Sequence, residues 1–155
     1  MCYRAETIAN CFLKHASMSN KSISPMKMQK LIYLAHAYCL VYQGKPLVNE
    51  LFEAWKFGPV LPSIYHAFKR HVSQKIDRQI PKFNAQIDDP KIREILEFIW
   101  DNYADFPAEK LSNWTHERGG PWDRIVNGSG THYRNQTIPN EYIQEYFEKM
   151  LGTEH

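Results

Sequence analysis

The chain has 155 residues, 43% of them hydrophobic and 23% charged, with a formal net charge of +2. That is the composition of an ordinary soluble globule long enough to bury a core, and so small a charge gives no global reason to expect nucleic acid or an anionic membrane as a partner. No apolar run approaches the ~18 residues of a membrane span. Arg4, Glu6 and Lys14 interrupt the opening residues, which argues against a secretory signal.

The three cysteines, Cys2, Cys11 and Cys39, form no C-x-x-C pair. Cys11 and Cys39 fall within helical apolar patterns and read as small buried hydrophobes, which fits a reducing cytoplasm. The expectation is one cytoplasmic domain, residues 1–155.

In chain order, Ala5, Ile8, Ala9 and Phe12 share a helical stripe between Tyr3 and His15. Ser24-Pro25 is an N-cap followed by proline at the first helical position. The helix it opens carries Met28, Leu31, Leu34, Ala35, Tyr38 and Tyr42 at spacings of three and four, and it ends at Gly44 with Pro46 beyond. Met26, Ile32, Cys39 and Val41 widen the apolar surface, so this helix is expected at the centre. Lys27, Gln29, Lys30 and His36 are read as its polar positions.

Leu47-Val48 and Phe52 to Phe57, separated by Asn49-Glu50, read as a short hairpin lying against the helices. Period two puts Glu53, Trp55 and Phe57 on one side, and Gly58-Pro59 reads as the end of the strand. Pro62 opens a third helix to about His71, with Ile64, Tyr65 and Phe68 inward. Such a corner supports two readings: a binding site, or a core aromatic with a hydrogen-bonded glutamate beside it. Residues 69–82 set Lys69, Arg70, Lys75, Arg78 and Lys82 against the single acid Asp77, and Pro81 interrupts any helix there. This is an irregular connector.

Asp89-Pro90 starts another helix, with Ile92, Ile95, Leu96, Ile99 and Tyr103 as its stripe. Ala108 to about Thr115 is a short helix after Pro107. His116 to Trp122 is a turn feeding a short helical piece, Asn127 to Gly130 is a loop, and Ile138-Pro139 opens a last helix with Tyr142, Ile143, Tyr146, Phe147 and Met150 inward. The fold class is therefore mainly α: about six helices and one short β-hairpin.

A search for chemistry returns little. His66 and His71 are five apart and do not share a helix face, and His116-Glu117 lacks a second histidine at the metal-ligand spacing. Gly44-Lys45-Pro46 is no P-loop, and Gly128-Ser129-Gly130 is half a dinucleotide fingerprint without a preceding strand. Cys39, His36 and His116 match no nucleophile signature. Thr115-His116 and Pro121-Trp122 frame a bent segment and support two readings: a pair of binding anchors, or Thr115 and His116 hydrogen-bonding the turn while Trp122 fills a core gap. No enzyme, metal or cofactor is expected.

Met28-Gln29-Lys30-Leu31-Ile32-Tyr33, Gly44-Lys45-Pro46-Leu47, Glu53-Ala54-Trp55-Lys56-Phe57-Gly58-Pro59-Val60 with Pro62 and Tyr65, and Leu111-Ser112 leading to Thr115-His116 and Pro121-Trp122 together resemble the Panacea antitoxin domain, a family with phage-associated GepA-type proteins and SocA-type proteolytic adaptors. The resemblance runs from about Ile8 to Phe147. It departs slightly at Gly119-Gly120, where the family often has one glycine.

The resemblance implies a non-enzymatic protein that neutralises a cognate toxin, usually by direct binding. The toxins of the family include alarmone-synthetase-like enzymes that block translation. SocA-type members instead deliver the toxin to the ClpXP protease. Some members add a DNA-binding segment, for which this chain leaves little room.

A nucleic-acid regulator is a third reading, from the helix–hairpin–helix order with Lys27, Lys30 and the basic connector. The small net charge weighs against it. Lys30, Glu53, Gly58, Pro59, Pro62, Thr115, His116 and Trp122 carry the motif, and Glu53 is expected to tie the hairpin to the helix bearing Lys30. Trp55, Lys56, Tyr65, Lys69 and Arg70 are the expected partner-binding residues, because aromatic and arginine side chains carry most interface energy.

Overall fold

The computed structural model describes residues 2–71, 75–128 and 136–152. Its helices are α1 (Ala5–Met18), α2 (Pro25–Gln43), α3 (Pro62–Phe68), α4 (Pro90–Tyr103), α5 (Ala108–Thr115), α6 (Pro121–Val126) and α7 (Asn140–Leu151), with a 3₁₀ turn at Lys69–His71. Three short strands, β1 (Glu53–Trp55), β2 (Gly58–Val60) and β3 (Gln136–Thr137), form one antiparallel sheet in the order β2-β1-β3. The fold is mainly α, as expected. Among the described residues it has one helix more than the sequence reading, and the hairpin gains a third strand.

Helix α2 is the axis. Every residue from Met28 to Leu40 is buried, so the helix has no solvent face over that run. It contacts α1, α3, α4, α5, α7 and β2. Its ends follow local rules: Ser24 Oγ accepts from the Lys27 N–H at 3.2 Å, and Gly44 closes the helix in the left-handed conformation at φ 66°. Asp89 caps α4 in the same way, accepting from the Lys91 N–H.

Gln29, Lys30 and His36, read as polar positions of α2, lie in the core, while Tyr42 and Met26, assigned to the apolar surface of α2, are exposed. A helix surrounded on every side leaves outward positions only at its ends. Lys27 is half-buried and donates to the Ala104 carbonyl. Tyr65 and Met150, expected inward, are also exposed.

The hairpin is displaced from its expected position. Leu47-Val48 is not its first strand; Val48 forms an isolated parallel bridge with Tyr3. Gly58-Pro59 does not end the pairing but begins β2, in the register Glu53↔Val60, Ala54↔Pro59 and Trp55↔Gly58. Lys56 and Phe57 are thus a two-residue turn. Pro59 is tolerated because β2 is an edge strand. Phe52 and Ala54 point into the core, so Glu53 and Trp55 occupy the opposite, half-buried face.

The connector is irregular in residues 75–89, as expected, and it is fastened down. Asn10, fully buried in α1, donates to the carbonyls of Ile80 and Phe83 at 3.0 and 2.9 Å and accepts from the Ile80 N–H at 2.7 Å. Ile76 and Ile87 are buried beneath it. The loop around Gly128-Ser129-Gly130 lies partly outside the described residues.

Candidate functional site

The motif residues converge on the β1–β2 turn. Three consecutive backbone carbonyls there, those of Trp55, Lys56 and Phe57, are each held by side chains from elsewhere in the chain. Trp122 Nε1 donates to the Trp55 oxygen at 2.6 Å. His116 Nε2 faces the Lys56 oxygen at 3.1 Å. The Phe57 oxygen accepts from Lys30 Nζ at 2.7 Å and from Ser112 Oγ at 3.0 Å. Helices α2, α5 and α6 and the turn after α5 thus grip one two-residue loop.

The clamp has its own supports. Thr115 Oγ1 donates to the Ser112 carbonyl at 2.7 Å, and His116 Nδ1 faces the same carbonyl at 2.7 Å. A neutral imidazole donates to only one of the two carbonyls facing His116, whereas an imidazolium donates to both. The Trp122 ring packs on His116 with centroids 4.1 Å apart, so Trp122 supports the turn as well as filling space.

Gly58 is required by the clamp. Its φ of 116° is one that side chains rarely adopt, and a Cβ would stand 2.4 Å from Lys30 Nζ and 2.7 Å from Thr115 Oγ1. Glu53 does not tie the hairpin to Lys30; its carboxylate accepts from Trp55 Nε1 at 2.9 Å, and Lys30 reaches the Phe57 carbonyl instead. The role expected of Glu53 belongs to a backbone oxygen, because Glu53 lies on the face of β1 turned away from the core.

Lys30 is 1% exposed and burial lowers its pKa to about 7. Among the described residues its one hydrogen-bond acceptor is the Phe57 carbonyl. Gln29, beside it, grips Leu61 by both backbone groups, accepting from its N–H at 2.9 Å and donating to its carbonyl at 3.1 Å. This positions Pro62 at the start of α3. His36 accepts the N–H groups of Leu47 and Val48 at Nδ1 and donates from Nε2 to Asn140 Oδ1 at 2.9 Å. Burial lowers its pKa to about 4, so the ring is neutral.

Outward, the clamped turn presents Phe57, 58% exposed, with Lys56 Nζ 5.4 Å from its ring centre. Trp55 packs on Tyr65, which is 44% exposed, with centroids 5.0 Å apart. Trp55, Lys56, Tyr65 and Lys69 line one cleft of about 450 Å³ with Ile64 and Phe68. Arg70 is exposed on the 3₁₀ turn and does not line it. Sequence reasoning missed Phe57 as an outward residue and Ser112 as part of the clamp. The available signal was the glycine two residues after Lys56, which marks a tight turn with an aromatic at its tip.

Among the described residues no cluster of three or more His, Cys, Asp or Glu is arranged to hold a metal ion, and no helix is long and apolar enough to cross a membrane. The buried polar groups at the turn are engaged with backbone carbonyls rather than grouped as nucleophile and base.

Comparison with known proteins agrees with the motif. Antitoxin SocA of Caulobacter vibrioides (strain NA1000 / CB15N) is 39% identical over 136 residues, covering 82% of this chain and 72% of that protein. No solved structure is significantly similar. The sequence model described as "Antitoxin SocA-like, Panacea domain" matches residues 28–123, which contain both the clamp and the turn it holds, and the chain belongs to that family.

Proposed function

We propose that this chain is the antitoxin of a toxin–antitoxin pair and neutralises its toxin by direct, non-enzymatic binding through the face formed by Trp55, Lys56, Phe57, Tyr65, Lys69 and Arg70. The observation that carries the reading is the clamped turn. Lys30, Ser112, His116 and Trp122 hold three consecutive carbonyls so that an aromatic side chain stands in solvent beside a cleft. Exposing Phe57 on a rigid support lowers the entropy lost when a partner covers it. Exposed aromatics with neighbouring cations are the side chains that dominate protein interfaces. Membership in the antitoxin family and the likeness to Antitoxin SocA supply the class of partner.

The test is co-expression with the toxin encoded beside the gene. The wild-type chain is expected to restore growth and to co-purify with the toxin. Phe57→Ala and Tyr65→Ala are expected to weaken binding about 30-fold or more, matching the ~2 kcal/mol of an interface hot spot, with an unchanged melting temperature. Full toxicity in the presence of the wild-type chain sinks the reading. Neutralisation by a ClpX-dependent fall in toxin level, without inhibition in the purified complex, makes the chain a proteolytic adaptor instead.

A further inference from the structure

We propose that the cleft beside the hairpin tip receives a segment of the toxin in which a large apolar side chain is flanked by carboxylates. This rests on the direct-binding reading and goes further by assigning the chemistry of what binds.

The cleft lies between the start of α2, the β1–β2 turn and α3, and its volume of about 450 Å³ is in the range of sites that enclose a ligand group rather than meet a flat surface. Its walls are apolar, with Trp55, Ile64, Tyr65 and Phe68 among them. Its charged lining residues are Lys30, Lys56 and Lys69, and none of its lining residues carries a carboxylate. The nearby acids are turned to other tasks: Glu53 accepts from Trp55, and Glu50 accepts from Ser63 at 2.5 Å. Among the described residues the ion pairs lie elsewhere, and none engages these three lysines.

Two exposed lysines, Lys56 and Lys69, beside an apolar hollow decide between occupants. A basic segment is repelled by both. A purely apolar segment fills the hollow but strips water from the lysines and gives them no counter-charge, which is costly. An apolar anchor with carboxylates beside it satisfies both requirements. The anchor enters between Trp55, Tyr65 and Phe68, while its flanking carboxylates meet Lys56 and Lys69. Lys30, buried and held by the Phe57 carbonyl, closes the floor of the cleft.

The experiment uses the full chain and the toxin encoded beside it. Tyr65 is replaced by the photo-crosslinker p-benzoylphenylalanine, the complex is irradiated, and the linked toxin peptide is identified by mass spectrometry. The expected peptide joins at an apolar residue with Asp or Glu within two positions. Lys56→Glu and Lys69→Glu are each expected to raise Kd about 10-fold, equal to about 1.4 kcal/mol, with the melting temperature unchanged. Affinity is also expected to fall as salt rises.

A linked peptide that is basic or uncharged overturns the inference, as do charge reversals that leave Kd unchanged. Cross-linking to a second copy of this chain overturns it in favour of self-association. In each of these cases a complex still forms, so direct binding stands. Failure of the wild-type chain to form any complex overturns direct binding and the inference together.

Discussion

Gly58 is a position where the clamp tolerates little change. Its positive φ strains any side chain, at a cost of ~1–3 kcal/mol. A Cβ also displaces the buried Lys30 amine, which has no other acceptor among the described residues. Gly44 is the natural control: its φ of 66° is also positive, but nothing lies within 4 Å of a Cβ there. Gly58→Ala is therefore expected to lower the unfolding free energy well beyond the ~1–2 kcal/mol expected of Gly44→Ala, measured by urea denaturation. Equal losses at the two positions would mean that the close approach of Lys30 and Thr115 adds nothing.

Several elements owe their placement to one buried polar side chain from a regular helix gripping irregular backbone. Gln29 holds Leu61, His36 holds Leu47 and Val48, and Asn10 holds Ile80 and Phe83. The arrangement suits segments too short or too broken to satisfy their own backbone groups. Asn10→Ala leaves three backbone groups of the connector without their partner, and an unsatisfied buried group costs ~1–3 kcal/mol. The expected outcome is faster tryptic cleavage after Arg78 and Lys82, with a smaller loss of global stability than the local change implies, because the connector opens on its own. Unchanged cleavage at both sites would show that Ile76 and Ile87 suffice to hold the connector.

At the scale of the molecule, a core threaded by α2 encloses two bases whose pKa values fall on folding, and both make stability depend on pH. His36 drops from 6.5 to about 4. The unfolded chain therefore binds the extra proton between those values, and stability present above pH 6.5 is lost as the pH falls toward 4. Lys30 drops from 10.5 to about 7, so the unfolded chain holds the extra proton above pH 7, and stability rises from there. Burial raises Cys11 and Cys39 from 9.0 to about 11, which erodes stability above pH 9. Chemical denaturation is expected to give a maximum near pH 9. Between pH 7 and 9 Lys30 contributes a slope of at most about 1.4 kcal/mol per pH unit, and Lys30→Met is expected to remove that share, leaving the smaller rise from Lys27, whose pKa burial also lowers. A wild-type profile that is flat across this window would contradict a desolvated Lys30.

Local signals determined much of this chain by themselves. Ser24-Pro25, Asp89-Pro90 and Gly44 marked helix ends correctly because capping is a matter of neighbouring residues. The stripe of α4 marked an inward face because that helix has one buried side, and the stripe of α1 is buried within a middle, residues 8–13, that is enclosed all round. The ordered motif identified the family, since it is a property of the string. What the string left open was which way a polar residue faces once its helix is enclosed, and which backbone atom a side chain reaches across the fold.

Gln29, Lys30 and His36 read only as the polar positions of their helix because their partners, Leu61, Phe57, Leu47 and Asn140, lie 11 to 104 residues away. The hairpin was placed too early because apolar Leu47-Val48 resembles a strand as well as Gly58-Pro59-Val60 does, and only packing against α2 and β3 chooses between them. The conversion of Lys30, Ser112, His116 and Trp122 into one clamp, with Phe57 turned to solvent, was decided by tertiary structure alone, because desolvating a polar group requires a specific partner and the chain brings that partner from a distance.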